Sequence, residues 1–340
     1  MRMLNMSIPQ IVRLVGEHGY GKEIYVFYEA TSDIDHVEYA LTRNLAASFQ
    51  RVNAMVPGHL HILTSAFQRR WDITNIMAIL RQKKKGLPME SIRDILVPVG
   101  DFDSLALDSL LAMDSEESVI ESLCNWIFYP VLRSVYQKSS GPGLFSRLEN
   151  QLYQQYYTDL IRQCHMGIKG GDIFFSFIQW EIDLINFKNL MRLRAGTVPD
   201  DIQPQMVDGG TIRPDTIQQI FSSDSFDQFI ELFKKTRLHQ FLADACRELK
   251  TGPCITYENA DEFIHDRWKQ RKRPLHELET MVTHIRLERM EQISKRYPFT
   301  ILPVLVYLER KKYEVFNLRA IVRGKADNIP ADVIQDYLVL

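Results

Sequence analysis

Apolar residues along this 340-residue chain recur mostly every third and fourth position. The spacing i, i+3, i+4, i+7 appears in Ile8-Ile11-Val12-Val15, in Leu105–Leu111, in Phe226-Phe229-Ile230-Phe233 and across Met281–Ile293. Such spacing puts the apolar side chains on one face of a helix. Ser7 before Ile8-Pro9, and Asp33 and Ser225 before later apolar runs, stand where helix N-caps are expected. Strand-like alternation is scarce. Ile24–Tyr28 (IYVFY), β-branched and aromatic, is the best strand candidate. Glycine and proline clusters at Ser139–Gly143, Gly167–Gly171, Asp208–Gly210 and Gly252-Pro253 mark turns between helices, none long enough for a disordered linker. The expected fold is all-α.

One pattern is written three times: DITNIMAILRQKKKGLP from Asp72 to Pro88, DLINFKNLMRLRAGTVP from Asp183 to Pro199, and EVFNLRAIVRGKADNIP from Glu314 to Pro330. Acid, asparagine, arginine, second base and proline keep one spacing: Asp72/Asn75/Arg81/Lys83/Pro88, Asp183/Asn186/Arg192/Arg194/Pro199 and Glu314/Asn317/Arg323/Lys325/Pro330. Four apolar positions follow the same register, Ile73/Leu184/Val315, Ile76/Phe187/Leu318, Ile79/Leu190/Ile321 and Leu80/Met191/Val322. The first two copies share what comes next, Gly100 then Phe102, Leu107 and Leu110 against Gly210 then Ile212, Ile217 and Ile220. A period above 100 residues means domain-sized copies rather than short solenoid units. Boundaries are expected at 1–100, 101–210 and 211–340.

On a helix turning about 100° per residue the four apolar positions share one arc. The acid and the second base fall within it, roughly three turns and ~16 Å apart. They are expected to flank the buried stripe and cap its two ends, in the sense the helix dipole favours. Asparagine is a poor residue inside a helix, so holding it three times points to a side-chain hydrogen bond to a neighbouring helix or loop. The arginine falls off the arc, as an ion pair between helices or a contact with a neighbouring repeat or partner. The proline closes the segment and opens another helix, since Glu90, Asp201 and Asp332 follow two residues later.

Composition excludes several functions. Lys+Arg 41 against Asp+Glu 43 gives no basic field for nucleic acid. Cys124, Cys164, Cys246 and Cys254 match no zinc spacing and read as free, buried thiols of a reducing compartment. No signal peptide is legible at the start, and the runs Ile173–Ile178 and Phe299–Leu308 fall far short of the ~20 residues that cross a bilayer. Gly16–Glu23 (GEHGYGKE) mimics a phosphate loop, but a helical pattern precedes it and Glu23 stands where Ser or Thr should hold Mg²⁺. It reads as a helix-end turn in which Gly16 and Gly19 supply unusual dihedrals. Glu262-x-x-His265 has di-iron spacing without a second copy, and HELETMVTH (His276–His284) places its second histidine eight residues on rather than four. Tyr153/Tyr156/Tyr157 and Phe174/Phe175/Phe177 are expected in the core. Lys269–Pro274 is a basic, solvated segment. No catalytic, metal-binding or cofactor-binding residue is assigned. The best partner-binding candidates are Arg81, Lys83, Lys84, Lys85, Arg192, Arg194, Arg323 and Lys325, against the alternative of solvated helix ends.

The repeats resemble the C-subunit family of archaeal and vacuolar-type rotary ATPases, whose eukaryotic member is called the d subunit. The stretches RRWDITNIMAILRQKKKGLPMESI, WEIDLINFKNLMRLRAG and ERKKYEVFNLRAIVRGKADNIPADVI carry the resemblance, with EYALTRNLAASFQ (Glu38–Gln50) resembling the early segment. Family members usually carry a further helix before the segment that begins here near Met3, so the first repeat is expected to lack it. The resemblance implies three helical bundles with pseudo-threefold symmetry forming a funnel. It implies a non-catalytic component on the cytoplasmic face of the membrane rotor ring, joining the ring to central-stalk subunits for H⁺ or Na⁺ transport and ATP synthesis or hydrolysis. Membrane contact would come only through the complex. The alternative is a helical scaffold with no rotary partner.

Overall fold

The computed structural model describes residues 2–28, 34–138, 141, 143–168, 170–195, 206–223, 226–239 and 275–339. Among these there are helices and turns and no strand. The candidates at Asp33, Ser225, Cys246, Cys254, Glu262-x-x-His265 and Lys269–Pro274 lie outside them, as does Pro199. Contacts divide the chain into two compact units, Met1–Tyr156 with Val304–Leu340, and Tyr157–Pro303. This division follows a different line from the sequence repeats.

The first unit begins with α1 (Ile8–Val15), capped as expected: the Ser7 backbone N–H donates to Gln10 Oε1 at 2.9 Å, one half of a capping box. Its Ile11, Val12 and Val15 are buried. The phosphate-loop mimic is a wide helical turn at Gly16–Tyr20 between α1 and α2 (Gly21–Tyr28). Gly19 takes φ +103°, as the turn reading requires, whereas Gly16 is ordinary right-handed helix at φ −59°. The backbone leaves helical geometry at His18 (φ −109°, ψ 38°) and Gly19. Asn44 then pins the turn, its Nδ2 donating to Gly19 O and to Glu23 Oε2, both at 3.0 Å. Lys22 and Glu23 belong to α2, and no strand leads into the turn.

Ile24–Tyr28, the strand candidate, is therefore helix. Ile24 is buried in a core that helical neighbours build on every side, and this packing overrides a weak local preference for strand. That core is organised by α3 (Ile34–Met55) and α15 (Leu302–Ala326). Leu41, Leu45 and Phe49 form an i, i+4, i+8 stripe on α3 and share one cluster with Leu308, Val315 and Val322 of α15. Full burial of each such side chain contributes about 1.5–3 kcal/mol. The unit also holds α4 (Gly58–Gln68), α5 (Arg70–Lys85), the single turn α6 (Glu90–Arg93), α7 (Ser104–Leu111), α8 (Glu116–Ser122), α9 (Tyr129–Lys138) and, near the end of the chain, α16 (Ala331–Asp336).

The long helix α10 (Leu144–Cys164) starts in the first unit and ends in the second. Leu148, Leu152 and Tyr156 make its buried stripe in the first, and Tyr157 and Leu160 in the second. The second unit contains α11 (Gly171–Ala195), α12 (Pro214–Phe221), α13 (Phe226–Lys234) and α14 (Leu275–Arg296). Phe174 and Phe177 stack at 6.4 Å between centroids and are buried, as their spacing suggests; Phe175 is half-buried, packing on the His165 ring at 4.6 Å. Cys164 is buried and Cys124 exposed, so the expectation of buried thiols holds for one of the two described. Among the described residues no helix is long and apolar enough to cross a membrane.

Candidate functional site

The thrice-written motif lands on α5, α11 and α15, and its described apolar positions are buried as the register demands: Ile73, Ile76, Ile79 and Leu80 all at 0% exposure, Val315 and Val322 at 1%. The asparagine on each helix clamps a backbone segment that returns to it. Asn75 Nδ2 donates to Val97 O at 2.7 Å while Val97 N donates to Asn75 Oδ1 at 3.0 Å. Asn186 does the same with Val207, both bonds at 2.8 Å. In the third copy Val339 N donates to Asn317 Oδ1 at 3.0 Å. A primary amide offers a donor and an acceptor side by side, so it pairs with a residue's N–H and C=O as a neighbouring strand would. Apolar burial brings Val97, Val207 and Val339 to the helix, and the asparagine satisfies backbone groups that this burial removes from water.

The acid extends the clamp. Asp72 accepts from Asp101 N at 2.8 Å and Phe102 N at 3.4 Å. Asp183 accepts from Thr211 N at 3.0 Å, Ile212 N at 3.1 Å and the Thr211 hydroxyl. The shared glycine now has a reason. A Cβ on Gly100 would stand 2.2 Å from both Asp72 carboxylate oxygens, and one on Gly210 2.2 Å from Asp183 Oδ1. Only a residue without a side chain lets the loop approach the carboxylate. Burial pushes the Asp72 carboxyl up to about 7, although the amides of Asp101 and Phe102 and nearby Arg69 pull it down. Burial also raises Asp183. The glycine's register in the third copy falls past Leu340, and Glu314 is used differently. It is exposed, accepting from the Tyr20 hydroxyl at 2.5 Å and from Lys311 Nζ at 3.1 Å. Lys311 sits 4.0 Å above the Tyr20 ring centroid. Burial and the Glu314 carboxylate both push the Tyr20 phenol upward.

The cations expected to meet partners are largely engaged within the chain. Arg81 pairs with Glu149 of α10. Arg323 forks onto Glu38 of α3, with Nη2 to Oε2 at 2.5 Å, and this bond raises the guanidinium's proton affinity. Glu38 and Glu149 stand at the same distance ahead of Asp72 and Asp183, so they are one repeat position. The arginine of the first copy thus reaches the second copy's early helix, and the arginine of the third copy reaches the first copy's. Lys83 Nζ donates to Leu111 O at 2.5 Å, at the carbonyl end of α7, and Lys84 lies 3.6 Å from Glu116. Lys85 is exposed and Lys325 half-buried. The side chains of Arg192 and Arg194 lie outside the described residues. Pro88 precedes the turn α6, and Pro330 occupies the N-cap of α16, as the helix-opening role expects.

Sequence reasoning missed the partners Glu38 and Glu149, whose shared register was the available signal. It also missed two buried ion pairs. Arg70 binds Glu309, whose side chain is 0% exposed, and Arg70 also covers the Phe67 ring at 3.9 Å. Arg286 Nη1 meets Glu181 Oε1 at 3.0 Å in the second unit. Among the described residues no group of His, Cys, Asp and Glu is placed to hold a metal ion.

A clamp made of structural hydrogen bonds, with its cations spent on bracing, has the chemistry of a stiff body rather than of a reacting centre. Comparison with known proteins bears on what such a body serves. A family model described as ATP synthase (C/AC39) subunit matches residues 1–337. The chain is similar to the C subunit of the A-type ATP synthase of Methanococcoides burtonii, 32% identical over 343 residues that cover all of this chain and 88% of that protein. Proteins of the same name from Archaeoglobus fulgidus and Methanosarcina mazei are 30% and 29% identical, again over all of this chain and covering 90% and 87% of theirs.

Proposed function

Because the chain belongs to the ATP synthase (C/AC39) subunit family, we propose that this component of an A/V-type ATP synthase is the coupling piece of the rotor. In this reading it sits peripherally on the cytoplasmic face of the membrane rotor ring and receives the central-stalk subunits. It carries torque between ion flow, H⁺ or Na⁺, and the ATP-handling head, and has no active site of its own. The repeated clamp carries the reading. Torque transfer needs a body that does not yield, and close-packed interiors transmit strain. At Asn75 and Asn186 a two-bond amide clamp locks the loop after the motif helix to that helix. The two arginine braces support an arrangement of three units closed head to tail, because one contact type joins copy one to copy two and copy three to copy one.

The test is recovery of the tagged chain from detergent-solubilised membranes, probed for ring and stalk subunits. The coupling role predicts both in stoichiometric amounts. Recovery with neither would leave the helical-scaffold alternative in its place.

A further inference from the structure

In the second unit α11 and α14 lie side by side and antiparallel. Glu181 of α11 meets Arg286 of α14 at 3.0 Å, and further along α11 Lys188 Nζ donates to Thr283 Oγ1 at 3.3 Å. Numbering rises on one helix as it falls on the other, so the start of α11 stands beside the end of α14. The residues just outside both helices agree: a Cβ on Gly170 would lie 3.4 Å from Thr300.

At that end the two helices do not close on each other. A partly open cavity of about 170 Å³ remains, walled by Ile173, Phe177 and Trp180 of α11, Met290 and Ile293 of α14, and Leu302. Close-packed interiors leave few voids of this size. The lining also carries two guanidinium groups, Arg286 and Arg289, and no carboxylate. Arg286 is committed to Glu181. Arg289 is half-buried and donates through Nη1 to Gln292 Oε1 at 3.0 Å, a neutral acceptor that an anion can displace. Ser176, exposed, belongs to the mouth.

We propose that this cavity binds a small amphipathic anion, an apolar body of about six carbons between α11 and α14 with a single carboxylate on Arg289. The site lies wholly within the second unit, and nothing in it depends on the coupling role. The volume sets the size of the body. A cavity of ~150 Å³ lined by Leu, Ile and Phe stays dry and takes up benzene, so this one suits one ring or a short chain. The lining sets the sign of the head. An ammonium would meet two guanidinium groups, whereas a carboxylate gains a charge-assisted bond beside apolar walls that strengthen it. An occupant supplies contacts that the two helices lack at this end, so binding stabilises the unit by mass action.

The test titrates the full-length chain, labelled at its Met and Ile methyl groups, with straight-chain carboxylates and follows the Met290 methyl by NMR. Hexanoate should bind saturably. Each CH₂ from butanoate to hexanoate should tighten binding about fourfold, and the gain should end once the body overruns the cavity. 1-Hexanol should bind about tenfold more weakly than hexanoate, and hexylamine more weakly still. Arg289→Met keeps the apolar stem and should bring hexanoate down to the level of hexanol. Ile293→Trp, inside the cavity, and Ser176→Trp, at its exposed mouth, should each weaken hexanoate about tenfold or more, the second at wild-type melting temperature. Phenylacetate against hexanoate separates a soluble aromatic acid from a lipid-derived chain, the tighter binder naming the source. The absence of a saturable Met290 shift with both acids would overturn the site, as would unchanged binding in both Trp variants. Equal affinity of the wild type for hexanol and hexanoate would overturn the anionic class.

Discussion

Replacing Asn75 by alanine tests the clamp directly. Asn75 is 1% exposed and makes two hydrogen bonds to Val97. Truncation leaves the Val97 N–H buried without its partner, which costs about 1–3 kcal/mol. The Val97 carbonyl still accepts from Val99 N at 3.0 Å, so there only a net bond of about 0.5–1.5 kcal/mol is lost. The sum is roughly 1.5–4.5 kcal/mol. Asn186→Ala should match it, because its two bonds to Val207 are the same. Asn317→Ala should cost about half as much, since one bond is at stake and the residue is 9% exposed. Two compact units make a single global unfolding free energy unsafe, so the assay is native-state hydrogen exchange. Amides of residues 95–102 should lose protection in Asn75→Ala, and those of 206–212 in Asn186→Ala, each by a factor of ~10 or more. If Asn75→Ala leaves the protection of 95–102 within twofold of wild type, the clamp does not hold the loop and the reasoning fails.

Gly100→Ala and Gly210→Ala should each destabilise by about 2–4 kcal/mol, because the new methyl collides with a carboxylate that must then move and orphan buried amides. Combining Gly100→Ala with Asp72→Ala should be clearly less than additive in chemical denaturation, and additivity would deny the contact. Asp72 predicts a pH dependence. Its folded-state pKa of about 7 lies above the ordinary carboxylate value, so its stabilising contribution is present below about pH 4 and fades as pH rises to about 7. Wild type should therefore lose urea resistance over that window faster than Asp72→Asn; equal slopes would place the Asp72 pKa near its ordinary value. Arg323→Glu strands the buried Glu38 carboxylate and should lower the melting temperature, while adding Glu38→Arg should restore most of the loss. If the swap rescues nothing, the pair is not a brace. Arg70→Met removes one cation from the fully buried Glu309 while Lys312 Nζ stays 3.8 Å from it, so it should lower the melting temperature by less than a fully stranded charge would; an unchanged melting temperature would refute the pair as a brace.

The helical class, the three motif helices and their buried stripes were legible in the one-dimensional pattern. Helix periodicity is local, and the same four apolar positions recur in each copy. The asparagine's need for a partner was legible from its poor helix propensity, though not the partner's identity. Val97, Val207 and Val339 are ordinary apolar residues, and their backbone groups carry no sequence signature. IYVFY looked like a strand because intrinsic preference was weighed without knowing that α3 and α15 would surround Ile24. The cations of α5 and α15 looked free because an ion pair depends on which carboxylate another helix brings near.

The order of residues alone therefore determined the helical class, the three motif helices, their recurrence and the family. These rest on short-range periodicity and on spacing that any copy must keep. Tertiary structure decided what the polar residues of the motif do. Asp72 and Asp183 hold loops that a glycine lets approach, Glu314 holds a tyrosine, and Arg81 and Arg323 reach into the next repeat. The physical reason is that a hydrogen bond or ion pair acts over only about 3 Å. Whether two groups far apart in sequence meet within that distance is settled by how the apolar faces pack.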